Sequence, residues 1–100
     1  MPGLGPVAAL RDIAGWKTVA FTGRRTPLDA FDIAELRTRF TVSELLQLAR
    51  ERYPRLSPAD IARAGQFLDR AGDATLGKAL TGTGRTPAWV RAQLAGWPRH

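Results

Sequence analysis

The chain has 100 residues, 44% of them hydrophobic, a formal net charge of +6, no cysteine and one histidine, at position 100. That length accommodates one small domain with a modest core. The missing cysteines exclude disulfides, zinc–thiolate and iron–sulfur sites and thiol catalysis. A lone terminal histidine excludes a His-built metal cage and makes a Ser-His-Asp triad implausible, so the composition argues against an enzyme. No run approaches 18 apolar residues, and the start MPGLGPVAAL lacks the basic flank of a secretory signal. The expectation is a soluble, cytoplasmic protein with no membrane partner, no cofactor, no metal and no small-molecule substrate.

In chain order, residues 1–15 are rich in Gly, Pro and Ala and weakly patterned. Trp16–Thr22, with Trp, Val and β-branched Thr between Gly15 and Gly23, is the best strand candidate. Thr26-Pro27-Leu28-Asp29 opens a helix over about 27–39, with a Thr cap, Pro in the first turn and an acid behind it. Leu28, Phe31, Ala34 and Leu36 are its expected buried residues. Thr41-Val42-Ser43-Glu44 is a capping box, and Val42, Leu45, Leu46, Ala49 and Tyr53 continue it as an apolar stripe over about 42–53. Ser57-Pro58 starts a third helix to about 70, with Ile61, Ala62, Ala64 and Leu68 inside and Gly72 as C-cap. Residues 75–81 read as a short strand or a loop. Thr86-Pro87 starts the last helix, about 87–95, which Gly96 and Pro98 terminate. The fold class is mainly α, with at most a short strand pair at 16–22 and 75–81.

Charge is unevenly spread. Residues 1–27 balance at +3, residues 28–73 at −1, and residues 74–100 carry Lys78, Arg85, Arg91 and Arg99 with no acid. The middle is an ordinary solvated helical surface; the ends suit an anion. Arg outnumbers Lys 13 to 2, which fits phosphate forks, but GC-rich codon usage, to which the 16 Ala and absent Asn also point, is the weightier explanation. The chain divides into a helical interaction region, 1–73, and a C-terminal module, 74–100.

The segment that carries chemistry is Leu80-Thr81-Gly82-Thr83-Gly84-Arg85-Thr86-Pro87-Ala88-Trp89. Two glycines one residue apart let a backbone turn tightly and approach another surface. The capped helix behind Arg85 pushes that side chain outward. A Gly-Arg loop on a rigid base suits the narrow, electronegative minor groove of A·T-rich DNA. The plainer reading is a Gly-rich connector with a solvated arginine. Gly77-Lys78-Ala79 has neither the spacing nor the hydroxyl of a phosphate-binding loop. Asp29, Asp32, Glu35 and Glu44 read as helix first-turn charges. Trp89 and Trp97 read as core residues before base-stacking ones, Trp16 as an anchor, and Arg24-Arg25 as an exposed turn.

The run Thr81-Gly82-Thr83-Gly84-Arg85-Thr86-Pro87-Ala88 resembles the C-terminal DNA-binding motif of the H-NS family, bacterial nucleoid-structuring proteins. That motif reads roughly aromatic-Ser/Thr-Gly-x-Gly-Arg-x-Pro followed by a short helix. The resemblance covers about 66–97. It implies AT-hook-like insertion of Thr83, Gly84 and Arg85 into the minor groove, with Gly82 and Thr86 in the same loop. Leu80 stands where the family has an aromatic residue, Thr83 replaces Gln or Arg, and the basic linker and long coiled coil are missing. The resemblance also places a strand from about 66, at Phe67-Leu68-Asp69-Arg70, where the capping and apolar spacing predict helix.

The resulting expectation is A·T-preferring, sequence-tolerant DNA binding by a bacterial nucleoid-associated protein or transcriptional silencer. Gly82, Thr83, Gly84 and Arg85 would enter the groove with Arg85 central, Thr86 would be a further DNA-binding residue, and Lys78, Arg91 and Arg99 would meet phosphates. Self-association through 27–70 would supply avidity. The alternative is a helical protein–protein module, an adaptor or an antagonist of a DNA-associated factor, that does not bind DNA itself.

Overall fold

The computed structural model describes residues 5–100, and among them every regular element is a helix. In chain order these are α1 (Gly5–Arg24), α2 (Pro27–Leu36), α3 (Val42–Arg52), α4 (Pro58–Arg70), α5 (Asp73–Leu80) and α6 (Pro87–Gln93). Residues 1–4 of the weakly patterned arm lie outside the described residues.

The four expected helix starts are all present. Thr26 accepts from the Asp29 N–H, and the Asp29 carboxylate accepts from the Thr26 N–H in return. Thr41 and Glu44 form the same reciprocal box. Ser57 and Thr86 each accept from the N–H three residues on. These side chains satisfy donors that the first helical turn leaves unpaired.

Both expected strands are helical. Residues 16–22 lie inside α1, and 75–81 coincide with α5 and its C-cap Thr81. The β-branched signal at 16–22 loses to burial at helical spacing: Ala14, Thr18 and Phe21 all face the core. The two threonines adapt by donating their hydroxyls back along the helix, Thr18 to the Ala14 carbonyl at 2.8 Å and Thr22 to Val19 at 2.7 Å. In α5, Leu76 and Leu80 are buried one turn apart. Residues 66–70, where two readings conflicted, are the last turns of α4. The turn after α1 falls on Arg25, which takes a left-handed φ of 54°. Gly72, expected to cap α4, instead precedes α5 as its N-cap, and Ala71 ends α4 in an extended conformation.

The inner face of α2 is also rotated from expectation. Ala30, Ile33, Ala34 and Leu36 are buried, whereas Leu28 is 58% exposed and Phe31 only half-buried. On α3, Leu45, Leu46 and Ala49 are buried as expected and Leu48 joins them, while Tyr53 is exposed. The four residues expected inside α4 are all buried.

Helix α1 packs along α3, α2 and α4, and the core cluster runs from Ala14 to Trp97. Segment 74–100 is not packed apart from it: Leu80, Val90, Leu94 and Trp97 belong to the same cluster. Trp97 is almost fully buried, edge-on to Phe21 with ring centres 5.1 Å apart, and its indole N–H donates to the Ile61 carbonyl at 2.8 Å. The tail can reach α4 because Gly65 has no side chain. A Cβ there would stand 2.2 Å from the Pro98 carbonyl oxygen.

The tail packing and the α3 capping box each generate a prediction. Gly65→Ala must displace backbone and should lower stability by about 1–3 kcal/mol. Gly77→Ala, in α5 with open space around its Cβ position, should raise it by about 0.5–1 kcal/mol. Urea denaturation of both variants checks the contrast. The second prediction concerns acid. The Thr41 N–H, and then its side chain, hold the Glu44 carboxyl below its ordinary value of 4.5. A carboxyl lowered on folding adds stability that is complete above its unfolded value and is lost as pH falls through the folded one. Stability of the parent chain should therefore drop more steeply below about pH 4.5 than that of Glu44→Gln, measured by thermal melts between pH 3 and 6.

Candidate nucleic-acid interface

The loop between α5 and α6 is built by its own short-range bonds. Thr81 leaves the helix in an extended conformation. Gly82 and Gly84 take φ values of 80° and 75°, the region where a Cβ is penalised. Between them, Thr83 turns back on α5. Its N–H and its hydroxyl both donate to the Leu80 carbonyl, at 3.0 and 2.6 Å. The same hydroxyl accepts from the Arg85 N–H at 3.1 Å. Thr86 then caps α6. All six residues from Thr81 to Thr86 are exposed, so the loop is braced yet fully open to solvent.

Arg85 does not project from the loop tip. Its guanidinium folds back over the Trp89 ring, with Cζ 4.2 Å from the ring centre. Its Nε donates to Glu35 Oε1 of α2 at 3.2 Å. Trp89 in turn leans on Phe31 with centres 6.5 Å apart. An exposed cation–π contact and an exposed ion pair each contribute about 1 kcal/mol or less. They orient the side chain but do not lock it.

The structure divides the other expected basic contacts. Lys78 sits in the last turn of α5, beside the loop, and is exposed with no acid partner among the described residues. Arg91 is occupied. It donates to the carbonyls of Leu68 and Ala71 at 2.5 Å each and to Asp73 at 3.2 Å, closing the C-terminal end of α4. Arg99 is occupied too, donating to Asp69 at 3.0 Å and to the Trp97 carbonyl at 2.6 Å. Neither cation is free to face a phosphate without giving up contacts that shape the fold.

One neighbour was not singled out by the sequence. Arg39 lies four residues beyond Glu35, in the hydrogen-bonded turn that continues α2. It is exposed and has no acid partner among the described residues. The Glu35–Arg85 pair ties the end of α2 to the loop, while Arg37 in the following turn reaches the Gln93 carbonyl at the other end of α6. The i, i+4 spacing of Glu35 and Arg39 was readable, but the contact that makes it relevant spans 50 positions. Among the described residues no pocket opens, no three His, Asp or Glu side chains gather as metal ligands would, and no helix is long and apolar enough to cross a membrane.

The division of the arginines is testable. Arg91→Ala leaves the Leu68 and Ala71 carbonyls without their donor and should cost about 1–3 kcal/mol of stability. Arg85→Ala removes only exposed contacts and should cost less than about 1 kcal/mol. Chemical denaturation separates the two.

No family model, curated protein or solved structure matches this chain.

Proposed function

We propose that the protein binds duplex DNA with a preference for A·T-rich sequence, using the loop Gly82-Thr83-Gly84-Arg85-Thr86, in the role of a bacterial nucleoid-associated protein or transcriptional silencer. The observation that carries the reading is the open loop itself. Two left-handed glycines bracket Thr83 and hold Arg85 at its rim, and no acid follows Asp73 in the sequence. The resemblance of residues 81–88 to the H-NS motif supports the same reading. Glycines at the tip permit close backbone approach to a narrow groove, and a guanidinium gains there from concentrated phosphate potential.

Binding requires Arg85 to exchange Glu35 and Trp89 for the groove. An exposed ion pair is weak enough for that exchange. Lys78, in the last turn of α5 before the loop, and Arg39, one turn beyond Glu35, are the cations proposed to meet phosphates. Arg91 and Arg99 are assigned to the fold. A protein module without DNA binding is the competing reading; within 27–70 the exposed apolar side chains available to it are Leu28 and Tyr53.

Titration of labelled A·T-rich and G·C-rich duplexes at two salt concentrations tests the proposal. With two or three phosphate-directed cations the slope of log K against log salt should be about −2 to −3. Arg85→Ala should abolish the A·T preference with the fold intact. Lys78→Ala should weaken both duplexes alike and reduce the slope by about one. Retention of affinity and preference in Arg85→Ala would rule out groove insertion. No shift with either duplex would favour the protein module.

A further inference from the structure

The most exposed aromatic ring among the described residues is Trp16, 56% accessible on α1, with Ile13 beside it at 48%. At about 100° per residue, Ala9, Ile13, Trp16 and Ala20 fall within one narrow arc, roughly opposite the buried Ala14, Thr18 and Phe21. Helix α1 is thus apolar on two sides. The core covers one of them. The outer residues recur at intervals of four, three and four, the spacing of a two-helix seam.

The flanks of the stripe identify its occupant. Helix α3 lies on the Gly15 side, where Leu48 approaches, and α2 on the Lys17 side, where Lys17 pairs with Asp32 at 3.1 Å. Asp12 borders the stripe on the α3 side and pairs with Arg52. Both Asp12 and Lys17 remain exposed at the stripe's edges. When two such helices pack in parallel about a two-fold axis, opposite edges meet, and each residue on one edge faces the partner residue five positions on. Asp12 then faces Lys17 of the second copy, twice over. The antiparallel arrangement instead sets Asp12 beside Asp12 and Lys17 beside Lys17. We infer that the protein forms a homodimer through parallel pairing of α1, with Ile13 and Trp16 at its centre and Asp12 and Lys17 fixing the direction. The inference stands independently of DNA binding by the loop, and it places self-association on α1 instead of on 27–70.

The absence of cysteine makes the test clean. In sedimentation equilibrium, the full chain should show a dimer that dissociates on dilution. Trp16→Glu should be monomeric at the same concentrations with an unchanged circular dichroism spectrum, since Trp16 lies outside the core. Asp12→Lys should weaken the dimer by roughly two- to fivefold. Ala20→Cys, under mild oxidation, should cross-link to itself, because a parallel two-fold sets position 20 against its own copy. Cross-linking only between Ala9→Cys and Ala20→Cys chains would mean antiparallel packing and overturn the assignment. A chain that stays monomeric into the millimolar range, or a Trp16→Glu dimer as tight as the parent, would overturn it as well.

Discussion

The indole of Trp97 meets the chain's first long helix and its fourth at one point. Its ring stands edge-on to Phe21 of α1, and its N–H satisfies the Ile61 carbonyl inside α4. Gly65 leaves room for the following Pro98 to cross α4 in contact. A buried indole needs a partner for its one polar atom. Here that requirement sets where the C-terminal segment lies. Once Trp97 is seated, Leu94 and Val90 turn inward, α6 is held against α2, and the loop before α6 is presented beside Glu35. The position of the candidate interface thus depends on a side chain at the far end of the segment, remote from the loop itself.

Arginine does two kinds of work in this protein. Arg37 donates to the Gln93 and Phe40 carbonyls, Arg91 to Leu68 and Ala71, and Arg99 to Trp97. A planar guanidinium with several fixed donors suits the unpaired carbonyls at helix ends. The six helices of the described residues leave many such ends. Part of the net charge of +6 therefore serves architecture, and counting cations in the sequence overstates what remains for an external anion. Arg39 and Lys78 are among the cations outside this system, and Arg85 makes only exposed contacts.

The proposed groove-binding loop and the proposed dimer seam bear on each other. A single loop with two or three cationic contacts gives modest affinity that falls quickly with salt. Pairing two chains makes the second contact intramolecular and raises the effective affinity without any new residue. A parallel two-fold gives both chains the same direction along the seam. The internal bracing of the loop, with Thr83 bonded to both Leu80 and Arg85, limits the ordering cost that a floppier Gly-rich segment would carry on binding.

Helix starts were legible in the sequence because capping is local chemistry. Thr26, Thr41, Ser57 and Thr86 each act within three residues of themselves, and each was placed correctly. The interior of α4 was legible for a related reason, since Ile61, Ala62, Ala64 and Leu68 all have the same neighbour to avoid, water. The nature of 16–22 and 75–81 was not legible. β-branched Thr18 and Thr22 prefer strands in isolation, and only burial against helices distant in sequence made the helical arrangement better. The loop at 82–85 was readable from its two glycines, and its exposure followed. The inward turn of Arg85, the pairing with Glu35, the employment of Arg91 and Arg99 as carbonyl donors, and the outward placement of Trp16 were tertiary decisions. Each depends on which helix ends and faces meet across tens of residues, and no local pattern encodes that.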